Sequence, residues 1–187
     1  LGKEQSGYID AIGLETYIDL LEDAVAALKG AKKRMGMEPE VKVPVTAILP
    51  EDYIIDTAER LREYRRLATV DTISDVRNLL DDWERKYGDA PKEALQLGWM
   101  AETRIWAKEL GLEKVHWLKV RALFVAGPYS TLDPDKVQAW SKRFSHRMTW
   151  TKKSHGWELF IRFSEQEADT PFHFLLWCYQ QLKKCSS

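Results

Sequence analysis

The chain has 187 residues, 44% of them hydrophobic, with 8 Trp, 7 Tyr and 6 Phe, which is enough apolar material for a core and excludes a disordered chain. The formal charge of −1 at pH 7 excludes a polycation built throughout for nucleic acid. The charge is uneven, however: residues 116–187 carry 11 Lys and Arg against 6 Asp and Glu, and residues 1–115 carry 17 against 23, which reads as two differently charged surfaces before it reads as a basic binding face.

The first element is a loop, LGKEQSG, that begins at Leu1 and is punctuated, with the residues after it, by Gly2, Gly7 and Gly13. A helix is expected over residues 14–34, where Leu14, Tyr17, Ile18, Leu21, Val25 and Leu28 recur at helical spacing. Its acids come early and its bases late, which suits the helix dipole. MGMEPE follows as a linker. VKVPVTAILP is β-rich, and Pro44 removes a ladder donor, so it predicts an edge strand. Three helices come next. The first runs from about Asp56, with Leu61, Tyr64 and Leu67 as its stripe. The second is started by Thr72 with Asp75, buries Val76, Leu79, Leu80 and Trp83, and stops at Gly88. The third has Pro91 in its first turn and Gly111 at its exit.

The last third changes character. KVHWLKVRALFVAG alternates and predicts one strand; Asp133 and Pro134 start a helix. HRMTWTKKSHGWELFIRFS predicts a hairpin turning at Ser154–Gly156, and Thr170 with Pro171 opens a final helix. The expectation is an α+β fold: a helical part with an edge strand, then strand, helix, hairpin and helix around a small mixed or antiparallel sheet. No apolar run is long enough to span a bilayer, and no signal-peptide pattern opens the chain. Cys178 and Cys185 are seven apart on a predicted helix, about 10 Å along its axis and beyond disulfide reach, so the thiols are expected free in a reducing, cytoplasmic setting.

Catalytic patterns are sparse. There is no phosphate-binding P-loop and no dinucleotide fingerprint. His116, His146, His155 and His173 lack partners at metal-ligand spacing, although His146 and His155 are placed to face each other across the predicted hairpin. Asp81 and Asp82 point in different directions from one helix. The richest stretch is 142–157, where Lys142, Arg143, Arg147, Lys152 and Lys153 interleave with Phe144, Trp150 and Trp157. Bases there can neutralise phosphates while aromatics stack nucleobases. A hairpin would also turn Trp150 inward against the last helix and leave the lysines to water, and that plainer reading takes precedence.

LGKEQSG followed by IDAIGLETYIDLLEDAV resembles the end of the translocase module of bacterial transcription-repair coupling factors (Mfd), and RecG helicases share its first part. The pattern becomes specific when LPEDYIIDTAERLREYRRLA follows, then a helix ending KYGDAPKEA, then LGLEKV. That order resembles the C-terminal domain of the coupling factor, and RecG has no corresponding tail. The resemblance covers about residues 1–115. It divides the chain into residues 1–36, the end of the translocation motif with a connector helix, and residues 37–187, a C-terminal regulatory domain. It also places ATPase motors, an RNA-polymerase-binding domain and a UvrB-like module upstream.

The resemblance implies further roles. Gln5 matches the glutamine of the translocation motif, and Lys3 stands where an acid is usual. The fragment itself would be non-catalytic and take no metal or cofactor; ATP and Mg would serve the motors, and duplex DNA and RNA polymerase would meet the upstream domains. In the family the C-terminal domain docks on the UvrB-like module and hides the face that recruits UvrA. The matching stretch is DDWERKYG: Asp82 takes the place of a family acid, Lys86 that of an arginine, and Arg85 stands where aspartate is usual. Either the partner surface differs in step, Glu84 takes over, or the contact is weaker. Asp82, Arg85 and Lys86, at i, i+3 and i+4, share one helix face, and Trp83 points away toward the core. That geometry predicts that the charged face can change without disturbing packing.

Overall fold

The computed structural model describes residues 38–186. The expected opening helix, Gln5 and the rest of residues 1–36 lie outside the described residues. The described chain runs β1 (Glu40–Lys42), α1 (Thr57–Ala68), α2 (Ile73–Tyr87), α3 (Lys92–Glu109), β2 (Leu112–Trp117), β3 (Arg121–Ala126), α4 (Pro134–Arg143), β4 (Met148–Lys153), β5 (Gly156–Arg162), α5 (Glu165–Ala168) and α6 (Pro171–Lys183). Six helices and a five-stranded mixed sheet make the expected α+β arrangement. Among the described residues no helix is long and apolar enough to cross a membrane.

The chain divides into two compact units, and the division falls inside α3 between Ala101 and Glu102. The first unit, residues 45–101 of those described, is helical. Asp56 caps α1 by accepting from the Glu59 amide at 2.7 Å. Thr72 caps α2: its hydroxyl accepts from the Asp75 amide at 3.1 Å and donates to the Asp75 carboxylate at 2.7 Å. Gly88 ends α2 at φ +87°, a conformation that costs other residues strain. Val76, Leu79 and Trp83 are buried as expected, and Leu80 is half-buried. The buried face of α1 differs from the apolar stripe read in the sequence. Tyr64 and Leu67 are inside, Leu61 is half-buried, and the charged Arg60 and Glu63 are buried beside them. Arg60 is held there by donating to the Ile54 carbonyl at 2.8 Å and by pairing with Glu51 at 3.2 Å.

The second unit, residues 38–44 and 102–186, holds the sheet in the order β1-β2-β3-β5-β4. The VKVPVTAILP segment is a strand only at its start: β1 lies at the sheet edge, parallel to β2, but stops at Lys42, so Pro44 lies beyond it and residues 43–50 form no strand. All other pairings are antiparallel. One face of the sheet carries Val115, Ala122, Phe124, Leu159 and Ile161, each fully buried, with Phe174, Leu175, Cys178 and Leu182 of α6 also in the core. Trp106 stacks on Tyr179 at 5.3 Å. Both cysteines are buried free thiols, and burial raises the pKa of each.

Two sequence expectations need correction here. Residues 114–127 are not one strand: they form the hairpin β2–β3, turning at Leu118–Val120, where the Leu118 amide donates to the Arg121 carbonyl at 2.8 Å. No Gly, Asn or Pro marks that turn, and the alternation of apolar residues runs straight through it. In the β4–β5 hairpin, Lys153 pairs with Gly156 and Met148 with Ile161. His155 is therefore in the turn, and His146 lies beyond the opposite end of the hairpin, so the two histidines do not face each other. The short helix α5, capped by Ser164 and Glu167, was not anticipated.

Candidate functional site

The residues singled out at the exit of α2 belong to a charged cluster built from two helices. Glu63 projects inward from α1 and its side chain is 0% exposed. Its Oε2 accepts from Trp83 Nε1 at 2.9 Å and from Arg66 at 2.7 Å; its Oε1 takes the Tyr87 hydroxyl at 3.5 Å and has Lys86 at 3.8 Å. Trp83 is thus where the sequence puts it, in the core, but as a hydrogen-bond donor to a buried carboxylate. Burial, with Glu59 and Glu63 reinforcing it, pushes the Tyr87 hydroxyl well above the usual tyrosine range, so it remains a proton donor.

Asp82 lies one layer further out, its side chain 24% exposed. Arg66 reaches it from α1 at 2.8 Å, Lys86 at 3.4 Å and Arg85 at 3.2 Å. The hydrogen bond from Arg66 holds the Asp82 carboxyl below the usual aspartate range, with Lys86 adding to the effect. Arg85 is the outermost member, 74% exposed, and Glu84 is exposed on the neighbouring flank. A shallow hollow of about 430 Å³ beside the cluster is lined by Arg66, Thr69, Val70, Asn78, Asp82 and Arg85 among others.

The structure therefore brings Asp82, Arg85 and Lys86 together on one face, as helical spacing predicts. It does not leave that face independent of the packing. Asp82 and Lys86 are tied to Arg66 and Glu63 of α1, so changing both disturbs the contact between the two helices. Arg85 alone answers to the description of a charge that can be altered freely. Glu63 and Arg66 escaped the sequence reading because, beyond their own pairing one turn apart, their partners on α2 lie about 20 positions away and nothing local marks that contact. The one available signal was a Glu on the apolar side of α1, one residue before Tyr64.

Nothing in the cluster is arranged for covalent chemistry: it has no nucleophile beside a base and no open metal geometry. Among the described residues no three His, Cys, Asp or Glu side chains gather as metal ligands. The arrangement instead presents an ordered charged surface whose geometry is set from beneath.

The stretch 142–157 is broken up by the fold. Trp157 is buried at 2% exposure and cannot stack a base, and Arg147 is bound to Glu167 at 2.8 Å and to the Arg162 carbonyl at 3.0 Å. Lys153 pairs with Glu158 at 3.0 Å. Trp150 is half-buried on the same strand face as Met148, while Lys142, Arg143, Phe144 and Lys152 are exposed. The plainer hairpin reading accounts for most of this segment.

Comparison with known proteins places the chain among one group. The family model for the TRCF domain matches residues 43–137. A transcription-repair-coupling factor of Myxococcus xanthus is 34% identical over 137 residues, 73% of this chain and 11% of that protein. Those of Bacillus subtilis strain 168 and Escherichia coli K12 are each 33% identical over 62% of this chain and 10% of theirs. The chain thus spans about a tenth of the length of the curated relatives it matches. A crystal structure of the C-terminal domain of transcription-repair coupling factor shares the fold, with a TM-score of 0.68 over 83% of this chain and 98% of that one, at 14% identity.

Proposed function

This chain belongs to the TRCF domain family, and from that membership we propose that it is a non-catalytic regulatory domain that docks on a UvrB-like module of its parent protein and masks the surface that recruits UvrA. The parent would be an ATP-dependent DNA translocase acting in transcription-coupled repair, with the motors, the RNA polymerase contact and the grip on duplex DNA outside the TRCF domain. Release of the dock would expose the recruitment surface, a shift between two states that the partner biases.

The observation that supports this reading most directly is the layering of the α1–α2 cluster. Glu63 and Arg66 fix Asp82 from below, and Arg85 stands 74% exposed on top with Asp82 as its carboxylate partner. Asp82, held from beneath by Arg66, loses little side-chain freedom when the face meets a partner, which suits reversible docking. Arg85, where the family's aspartate is usual, makes the outer rim basic, so the matching surface of the module would be acidic at that point.

Arg85→Glu in the full-length parent tests the reading. The isolated chain should keep its stability within about 0.5 kcal/mol, since the side chain is exposed. In the parent the same change should loosen the dock and increase co-precipitation of UvrA. Unchanged UvrA association would remove Arg85 and its face from the dock.

A further inference from the structure

In the sheet of the second unit, β3 and β5 have one face whose described residues are exposed or half-exposed and carry a charge pattern of their own. Arg121, Leu123 and Val125 of β3 share that face with Arg162, Phe160 and Glu158 of β5, and the register sets Arg121 opposite Arg162 and Leu123 opposite Phe160. Arg121 and Arg162 are exposed, and Leu123, Val125 and Phe160 are half-exposed. Like charges directly opposite each other on antiparallel strands oppose the pairing. Among the described residues neither arginine has a carboxylate within ion-pair reach, whereas Glu158 on this side is taken by Lys153 at 3.0 Å and Glu40 by Lys114 at 3.4 Å. The Arg121 guanidinium lies 4.2 Å from the centroid of the Phe160 ring. Lys119, exposed in the β2–β3 turn, extends the positive end of the face, with exposed Val120 beside it.

We propose that this face binds single-stranded nucleic acid, with a backbone phosphate bridging Arg121 and Arg162 and a base laid on the Arg121 guanidinium, which Phe160 supports from beneath, and against Leu123. An anion between the two guanidinium groups turns their repulsion into two charge-assisted contacts, and the planar fork of each suits phosphate oxygens. The half-exposed apolar strip next to the arginine pair suits a base whose face is free, and in a duplex that face is stacked inside the helix. The carboxylates that would read a ribose hydroxyl are already in ion pairs, so the face takes a strand without discriminating its sugar.

The test is anisotropy of a fluorescein-labelled oligothymidylate of about 12 nucleotides titrated with this 187-residue chain at salt between about 50 and about 200 mM. Binding should weaken as salt rises. Arg121→Gln with Arg162→Gln should make the slope of log K on log salt shallower by about 1.4, the loss of two single-strand phosphate contacts. Arg162→Gln alone should give half that change. Phe160→Ala should weaken binding about tenfold and leave the slope as it was. Lys142→Gln with Arg143→Gln should change neither, and circular dichroism melts should show each variant folded. The proposal is overturned if the chain fails to bind at the lowest salt. It is equally overturned if the slope change follows Lys142 and Arg143 in place of the Arg121–Arg162 pair, or if an unlabelled duplex of the same length competes as well as the single strand.

Discussion

Glu63 carries more of the first unit than any charged residue visible in the sequence as important. Its carboxylate has no exposed surface and is satisfied by an indole N–H, a guanidinium and, at longer range, a phenol and an ammonium. Removing one partner of such a set leaves the others buried without a counterpart. Glu63→Ala should therefore lower the unfolding free energy in urea by about 2 to 3 kcal/mol, allowing for the half-exposed Arg66 and Lys86. Trp83→Phe should cost about 1 kcal/mol, and the double change should cost less than the sum because both remove one hydrogen bond. Asp82 gives a pH dependence of defined sign. Its folded-state pKa is depressed by Arg66, so its stabilising contribution is present at neutral pH and is lost as pH falls through that lowered pKa. Stability of the wild type and of Asp82→Asn should accordingly differ at pH 7, begin to draw together at about pH 4 and converge only as pH falls through the lowered Asp82 pKa, in denaturant titrations.

At the scale of elements, what was legible was what is written locally. Asp56, Thr72 and Asp133 each cap the helix that follows them, and Gly88 and Gly111 each take positive φ at a helix exit. Such signals act over three or four residues, so a single sequence carries them in full. Thr72→Ala should cost about 1 kcal/mol in the same urea titration, by freeing the Asp75 amide. The β2–β3 hairpin was not legible, because Leu118, Lys119 and Val120 provide no turn chemistry and the register is set by β5 on the far side of β3. The other hairpin was read in nearly the right place because Gly156 marks it. That glycine has φ +143°, and a Cβ there would collide with the Ala126 carbonyl oxygen. Gly156→Ala should therefore lower stability by about 3 kcal/mol or prevent folding, a far larger effect than the same change at the open Gly88.

Over the whole molecule, the family was legible from residues 1–115, and the α+β class and most elements of the last third were legible too, the β2–β3 hairpin read as one strand and the short helix α5 being the exceptions. PEDYI, RLREYRRLA and KYGDAP are local strings, and the TRCF domain match over residues 43–137 contains them. The last third shows no such strings, yet the solved C-terminal domain shares the fold over 83% of the chain at 14% identity. A sheet tolerates exchange of side chains so long as the alternation survives, so fold outlasts pattern there. The candidate site followed the same division. The position of Asp82, Arg85 and Lys86 on one face came from helical spacing, while the anchoring by Glu63 and Arg66 came from tertiary contact alone. Because the chain spans about a tenth of its curated relatives, its own chemistry is the smaller expectation: phosphate release from ATP by this chain should stay at background. Turnover would overturn the proposed role.

Strand β1 has a consequence for the order of folding. Glu40 pairs with Lys114, so the single parallel ladder of the sheet joins residues separated by all of α1, α2 and α3. The hairpins β2–β3 and β4–β5 close over a few residues each and can form early, whereas β1 must wait for the longest loop in the sheet to close. On a ribosome the β1 segment emerges before its partner strand exists. In refolding it should join last, so Val41→Ala should speed unfolding in stopped-flow measurements and leave the folding rate nearly unchanged.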